Sequence, residues 1–83
     1  MTPARITTPE AWSRWGWLVD AVAERHGVLA DSLLGRRRHR EVVRARHDLV
    51  VCLWASGCAF IEIGRLLGMD HTSIMYAVRK ELR

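Results

Sequence analysis

The sequence predicts an all-α domain, a small helical bundle that closes with a helix-turn-helix. Three observations carry that expectation. Apolar residues recur at three- and four-residue spacing through each candidate segment. Gly27, Gly35, Gly57 and Gly68 stand where those segments should stop. The run Ile61 to Lys80 has the spacing of two short helices joined by a tight turn.

Residues 1–8 are expected to form a flexible N-terminal arm and residues 9–83 a single helical domain, with the helix-turn-helix at about 59–82. Thr8-Pro9-Glu10 reads as a helix start: a hydroxyl cap, proline at the first helical position and a carboxylate in the first turn. That helix should run to His26. Trp12, Trp15, Val19 and Val22 form its apolar stripe, which Trp17 and Ala21 widen. Gly16 costs up to about 1 kcal/mol relative to alanine there and allows a kink. The tryptophans have two readings, a packing stripe that closes a small core or a partly exposed patch that docks another protein.

Val28 to Leu34 reads as a short second helix capped near Ala30 or Asp31, and Arg36 to Arg40 as a basic surface loop. Glu41 to Ser56 follows as a longer helix. Its second half is apolar nearly all round, which marks a central helix, whereas Arg44, Arg46 and His47 keep its first half near the surface.

Ala59 to Leu67 is the first helix of the terminal pair. Gly64 allows close approach, and Gly68 supplies the turn, where a positive φ costs glycine least. Ile63, Leu67, Met69, Ile74 and Ala77 fall where crossed helices need core contacts. Asp70 is placed to cap the last helix by accepting from amides two and three residues on. His71, Thr72 and Ser73 then open that helix, the part of a reading helix that reaches base edges in a major groove. A helical wheel gathers Ile74, Met75, Val78 and Leu82 on one side and Thr72, Tyr76, Arg79, Lys80 and Arg83 on the other. Tyr76 also fits a half-buried core edge.

Charge placement supports nucleic acid as the partner. The chain carries +4 in all, and residues 35–47 hold six arginines against Glu41 alone, a local balance of +5. Arg36, Arg37, Arg40 and Lys80 suit phosphates, which fix register without reading sequence. Cys52 and Cys58 lack metal-ligand spacing and read as reduced core thiols. No apolar run is long enough to span a bilayer, and no leader marks export, so a cytoplasmic, nucleoid-associated protein is expected. No nucleophile, paired carboxylate or second metal ligand accompanies the histidines. An enzyme, a cofactor, a metal and a small-molecule substrate are therefore not expected.

The segment from about Val22 to Lys80 resembles the C-terminal DNA-binding domain of the bacterial replication initiator DnaA. The run I-G-R-L-L-G-M-D-H-T-S-I-M-Y-A-V-R-K is similar to that family's I-G-x-x-F-G-x-R-D-H-T-T-V-x-x-A-x-x-K, and A-D-S-L-L-G-R-R-R-H-R-E-V-V-R-A-R-H to its basic loop and arginine-rich helix start. The resemblance implies an all-helical, Trp-repressor-like fold that binds double-stranded DNA at DnaA boxes. It places Asp70, His71, Thr72 and Ser73 at the major groove, Arg38 in the adjacent minor groove, and Arg46 and His47 as a helix-start pair on DNA. The turn here is one residue shorter and lacks the family's arginine, and His47 stands where the family has glutamine. No G-x-x-x-x-G-K-[ST] phosphate loop occurs in the chain.

Two function classes follow. The first is sequence-specific binding of double-stranded DNA at DnaA-box-like sites, regulating replication initiation or transcription without ATPase activity. The second is an interaction module that docks the replication initiator or other replication proteins through Trp12, Trp15 and Trp17. Because the chain opens with Met1 and an arm unlike a continuing ATPase, a stand-alone protein is expected ahead of a fragment.

Overall fold

The computed structural model describes residues 9–34 and 39–81. These residues form five helices and no strand: α1 Pro9–His26, α2 Ala30–Leu34, α3 Arg40–Ala55, α4 Phe60–Leu67 and α5 His71–Glu81. The expected N-terminal arm and Arg36, Arg37 and Arg38 lie outside the described residues.

Helix α3 is central. It packs on each of the other four helices, and its Leu49, Val50 and Leu53 have no exposed surface. Around them close Val19 and Val22 of α1, Leu33 of α2, Ile63 of α4 and Ile74 and Val78 of α5. The apolar circumference of α3 thus has a physical explanation, since helices cover it on several sides. Trp54 is the exception, at the rim and 37% exposed.

The stripe of α1 lies where the spacing puts it, but other residues than Trp17 and Ala21 widen it. Leu18, Val19, Val22 and Ala23 are buried with Trp15 half-buried, whereas Trp17 is 64% exposed and Ala21 is exposed. Residues 17 and 21 each stand two positions from Val19, about 200° round the helix, so they cannot widen its face. Trp12 shares the azimuth of Val19 but sits at the outer end of the helix. Its indole folds back over Gly16, where a β-carbon would stand 2.6 Å from the ring. Helix α1 runs unbroken through that glycine.

Helix α2 starts two residues later than its sequence suggests. The Val28 amide bonds to the Ala23 carbonyl at 3.0 Å, closing α1 past Gly27 (φ 66°) instead of opening α2. Helix α3 starts one residue early, at Arg40, after an extended His39, and ends where the Ser56 hydroxyl donates to the Cys52 carbonyl at 2.8 Å. The last turn of α1 is tied to α3 by Asp48, which receives Arg25 Nη1 and His26 Nε2 at 3.0 Å each.

Candidate nucleic-acid interface

The site begins at the link between α4 and α5. Gly68 takes a left-handed conformation (φ 66°, ψ 33°), and its amide and that of Met69 both turn back onto the Gly64 carbonyl, the latter at 2.9 Å. Three residues, Gly68 to Asp70, are enough to redirect the chain. Asp70 then caps α5: its Oδ1 accepts the Thr72 amide at 3.0 Å, and its carbonyl accepts that of Ser73 at 3.0 Å. The Thr72 hydrogen bonds, with the nearby His71 ring, hold the Asp70 carboxyl below its ordinary range. His71, Thr72 and Ser73 are exposed in consequence, their helix seated by Ile74, Ala77 and Val78 behind them.

Residues distant in sequence meet beside that helix start. Val43, Arg46 and His47 of α3, Met69 of the turn, and Thr72, Ser73 and Tyr76 of α5 line one open concavity of about 410 Å³. Tyr76 is 65% exposed, so it stands as a surface group at this face rather than a core edge. Lys80 continues the wall past His47, together with Arg44 and Glu81. Arg40 is exposed at the start of α3.

Two of the expected site residues are placed differently from their neighbours. His71 faces away from the concavity and lines a separate hollow with Ile61, Arg65 and Gly68. Its Nδ1 lies 3.4 Å from Asp70 Oδ1. Arg46 reaches back to the end of α2, donating from Nε to the Leu33 carbonyl at 3.2 Å and from Nη2 to the Ser32 carbonyl at 3.5 Å. It thereby satisfies carbonyls that a helix end leaves open. Burial lowers its pKa. His47 is also held below the ordinary histidine range, by burial first and then by Lys80, with Glu81 opposing and Arg46 adding to the depression.

Sequence reasoning overlooked Arg65, an exposed cation beside the start of α5, and Val43 and Met69 in the concavity. Only for Arg65 was there a signal, its place inside the helix-turn-helix.

The tryptophans stand apart from this face. Trp15 lines a hollow between α1 and α4 with Arg14, Ile61 and Leu66. The Trp17 indole N–H donates to the Arg14 carbonyl at 3.0 Å. Among the described residues no group of three or more His, Cys, Asp and Glu is placed to hold a metal ion. No described helix is long and apolar enough to cross a membrane.

A short capped helix, its opening side chains exposed across a hollow from arginine and histidine, is the arrangement of a DNA-reading module. The family described as the bacterial DnaA protein helix-turn-helix matches residues 18–80. This chain belongs to that family. Its relatives include chromosomal replication initiator protein DnaA 2 of Chlamydia caviae, 32% identical over 63 residues, which are 75% of this chain and 14% of the relative. Chromosomal replication initiator protein DnaA of Roseiflexus castenholzii is 39% identical over 75 residues, 88% of this chain and again 14% of the relative. The chain thus spans about one seventh of the length of these curated relatives. No solved structure matches it. The matched DnaA domain is a DNA-binding helix-turn-helix, not a catalytic domain. The match runs from the middle of α1 to Lys80, so it takes in every residue that lines the concavity, while Trp12, Trp15 and Trp17 precede it.

Proposed function

We propose that this chain binds double-stranded DNA sequence-specifically at DnaA-box-like sites, regulating replication initiation or transcription without ATPase chemistry of its own. The observation that carries this reading is the concavity in which Thr72 and Ser73 of the capped helix meet Arg46 and His47 of α3. His71, Thr72 and Ser73 enter the major groove, with Arg46 and His47 beside them. Arg38 enters the neighbouring minor groove. Arg36, Arg37, Arg40, Tyr76 and Lys80 hold phosphates, and Asp70 caps the reading helix. A good bidentate contact discriminates against a wrong base by about 1–3 kcal/mol. If about five phosphates are neutralised, log K falls with log salt at a slope near −4 to −5.

The test is selection of bound sequences from a random duplex pool at moderate salt, with gel-shift stoichiometry. One enriched sequence is expected, and its preference is lost in His71→Ala/Thr72→Ala with the fold intact. A pool without enrichment sinks the proposal. Arg38→Ala is expected to weaken specific binding more than Arg36→Ala; equal losses reduce the loop to an electrostatic patch.

A second reading rests on Trp12 and Trp17, which are 39% and 64% exposed and lie ahead of the matched stretch. In it they dock a replication initiator or another replication protein. Titration with purified DnaA from the same source tests it: Trp12→Ala/Trp17→Ala should lose binding while DNA affinity and melting persist. An unaltered titration refutes it.

A further inference from the structure

We infer that His47 takes up a proton when duplex DNA binds, so that acidification tightens the complex. The inference rests on the DNA-binding reading above and concerns the regulation of the same face. His47 lies at the seam between α3 and α5, half-buried, with one side toward the concavity of Thr72, Ser73 and Tyr76 and the other toward Lys80.

The charges around it are unbalanced. Arg44, Arg46 and Asp48 face this region from α3, Arg25 and His26 from α1, and Lys80 and Glu81 from α5. Asp48 is already engaged, since Arg25 and His26 both sit 3.0 Å from its Oδ2. Glu81 therefore stands against several cations. In the free domain this crowding and partial burial favour the neutral ring, which agrees with the lowered pKa of His47.

A phosphate brought against the concavity reverses the balance. An opposite charge within about 4–6 Å favours the imidazolium. The bound-state pKa then exceeds the free-state value, and by linkage any group that gains a proton on binding makes affinity pH-dependent. The sign follows directly. Binding is strongest below the free-state pKa and weakens as pH rises, until it levels off above the bound-state value. One proton limits the change to about tenfold in Kd per pH unit inside that window. A neutral His47 reading a base edge would leave Kd flat above the free-state pKa and weaken binding on acidification below it, the opposite sign.

The experiment uses the whole chain and the duplex enriched by the selection, with a random duplex of equal length as comparison. Kd is measured by fluorescence anisotropy between about pH 5.5 and 8 at constant ionic strength, the interval where histidine titrates. Calorimetry in two buffers of different ionisation heat counts the protons directly. Circular dichroism over the same range confirms that the fold persists. The wild type is expected to lose affinity with rising pH and to take up a fraction of a proton at neutral pH. His47→Gln should lose that uptake, whereas His39→Gln retains it. Binding without proton uptake, or uptake that survives in His47→Gln, overturns this inference and leaves the DNA-binding reading standing. Absence of duplex binding at every pH overturns both.

Discussion

Gly64 lies so close to Met69 that a β-carbon on it would stand 2.7 Å from the Met69 carbonyl oxygen, while its own carbonyl accepts the Met69 amide at 2.9 Å. The turn is folded directly onto the preceding helix, and this contact sets where α5 begins. Because the obstructing atom belongs to the backbone, it cannot rotate aside. Gly64→Ala is therefore expected to destabilise the domain by about 1–3 kcal/mol, as overpacking does, and to weaken duplex binding further than the loss of folded protein explains. Thermal melting with anisotropy on the folded fraction checks this; wild-type melting would show that the turn yields without cost.

Asp70 caps α5 by accepting the Thr72 amide. Asp70→Ala should lower the melting temperature, and Asp70→Asn, which keeps an oxygen acceptor, should restore most of it. The folded-state pKa is lowered. The capping contribution is therefore complete above the unfolded-state value and disappears as pH falls through the folded-state value. Melting of the wild type and Asp70→Asn across that acid range checks the sign; parallel curves would remove the carboxylate from the account.

Asp48 ties α1 to α3. Burial pushes its carboxyl upward, but the His26 hydrogen bond, the Arg25 charge and the Cys52 thiol together bring it below the ordinary value. The stability it adds is thus present above the unfolded-state pKa and lost on acidification through the folded-state one. Arg25 is 64% exposed, so solvent screens much of that pair. Asp48→Asn is expected to cost on the order of 1 kcal/mol at neutral pH, with a weaker acid dependence of melting. A variant as acid-sensitive as the wild type contradicts this.

Trp15 and Trp17 should differ sharply in chemical denaturation. Trp15 packs against the core, and Trp15→Ala is expected to cost roughly 2 kcal/mol, below the range for fully buried tryptophan. Trp17 is mostly in solvent, and Trp17→Ala should stay within about 0.5 kcal/mol of wild type. Equal losses would mean that the α1 stripe is placed otherwise.

Much of this domain was legible locally. Pro9 and Glu10 announced the start of α1, and Gly27, Gly57 and Gly68 stand at positive φ where helices end. Asp70 announced its own cap. The start of α2 was less legible, because Val28 spends its amide on α1, a choice that residues 28–34 do not reveal.

By itself, the sequence determined the helices, their order, the turn between α4 and α5, and the exposed opening of α5. Each depends on residues within a turn or two of one another, where capping, glycine conformations and three- and four-residue spacing act. Only the tertiary structure decided which side chains share a face. Arg46 is drawn to the carbonyls of Ser32 and Leu33, His47 joins Thr72 and Ser73 across two helices, and Trp17 is left outside. Those outcomes depend on how α2 and α5 settle against α3, and packing between helices brings together charges and apolar surfaces that no local pattern records.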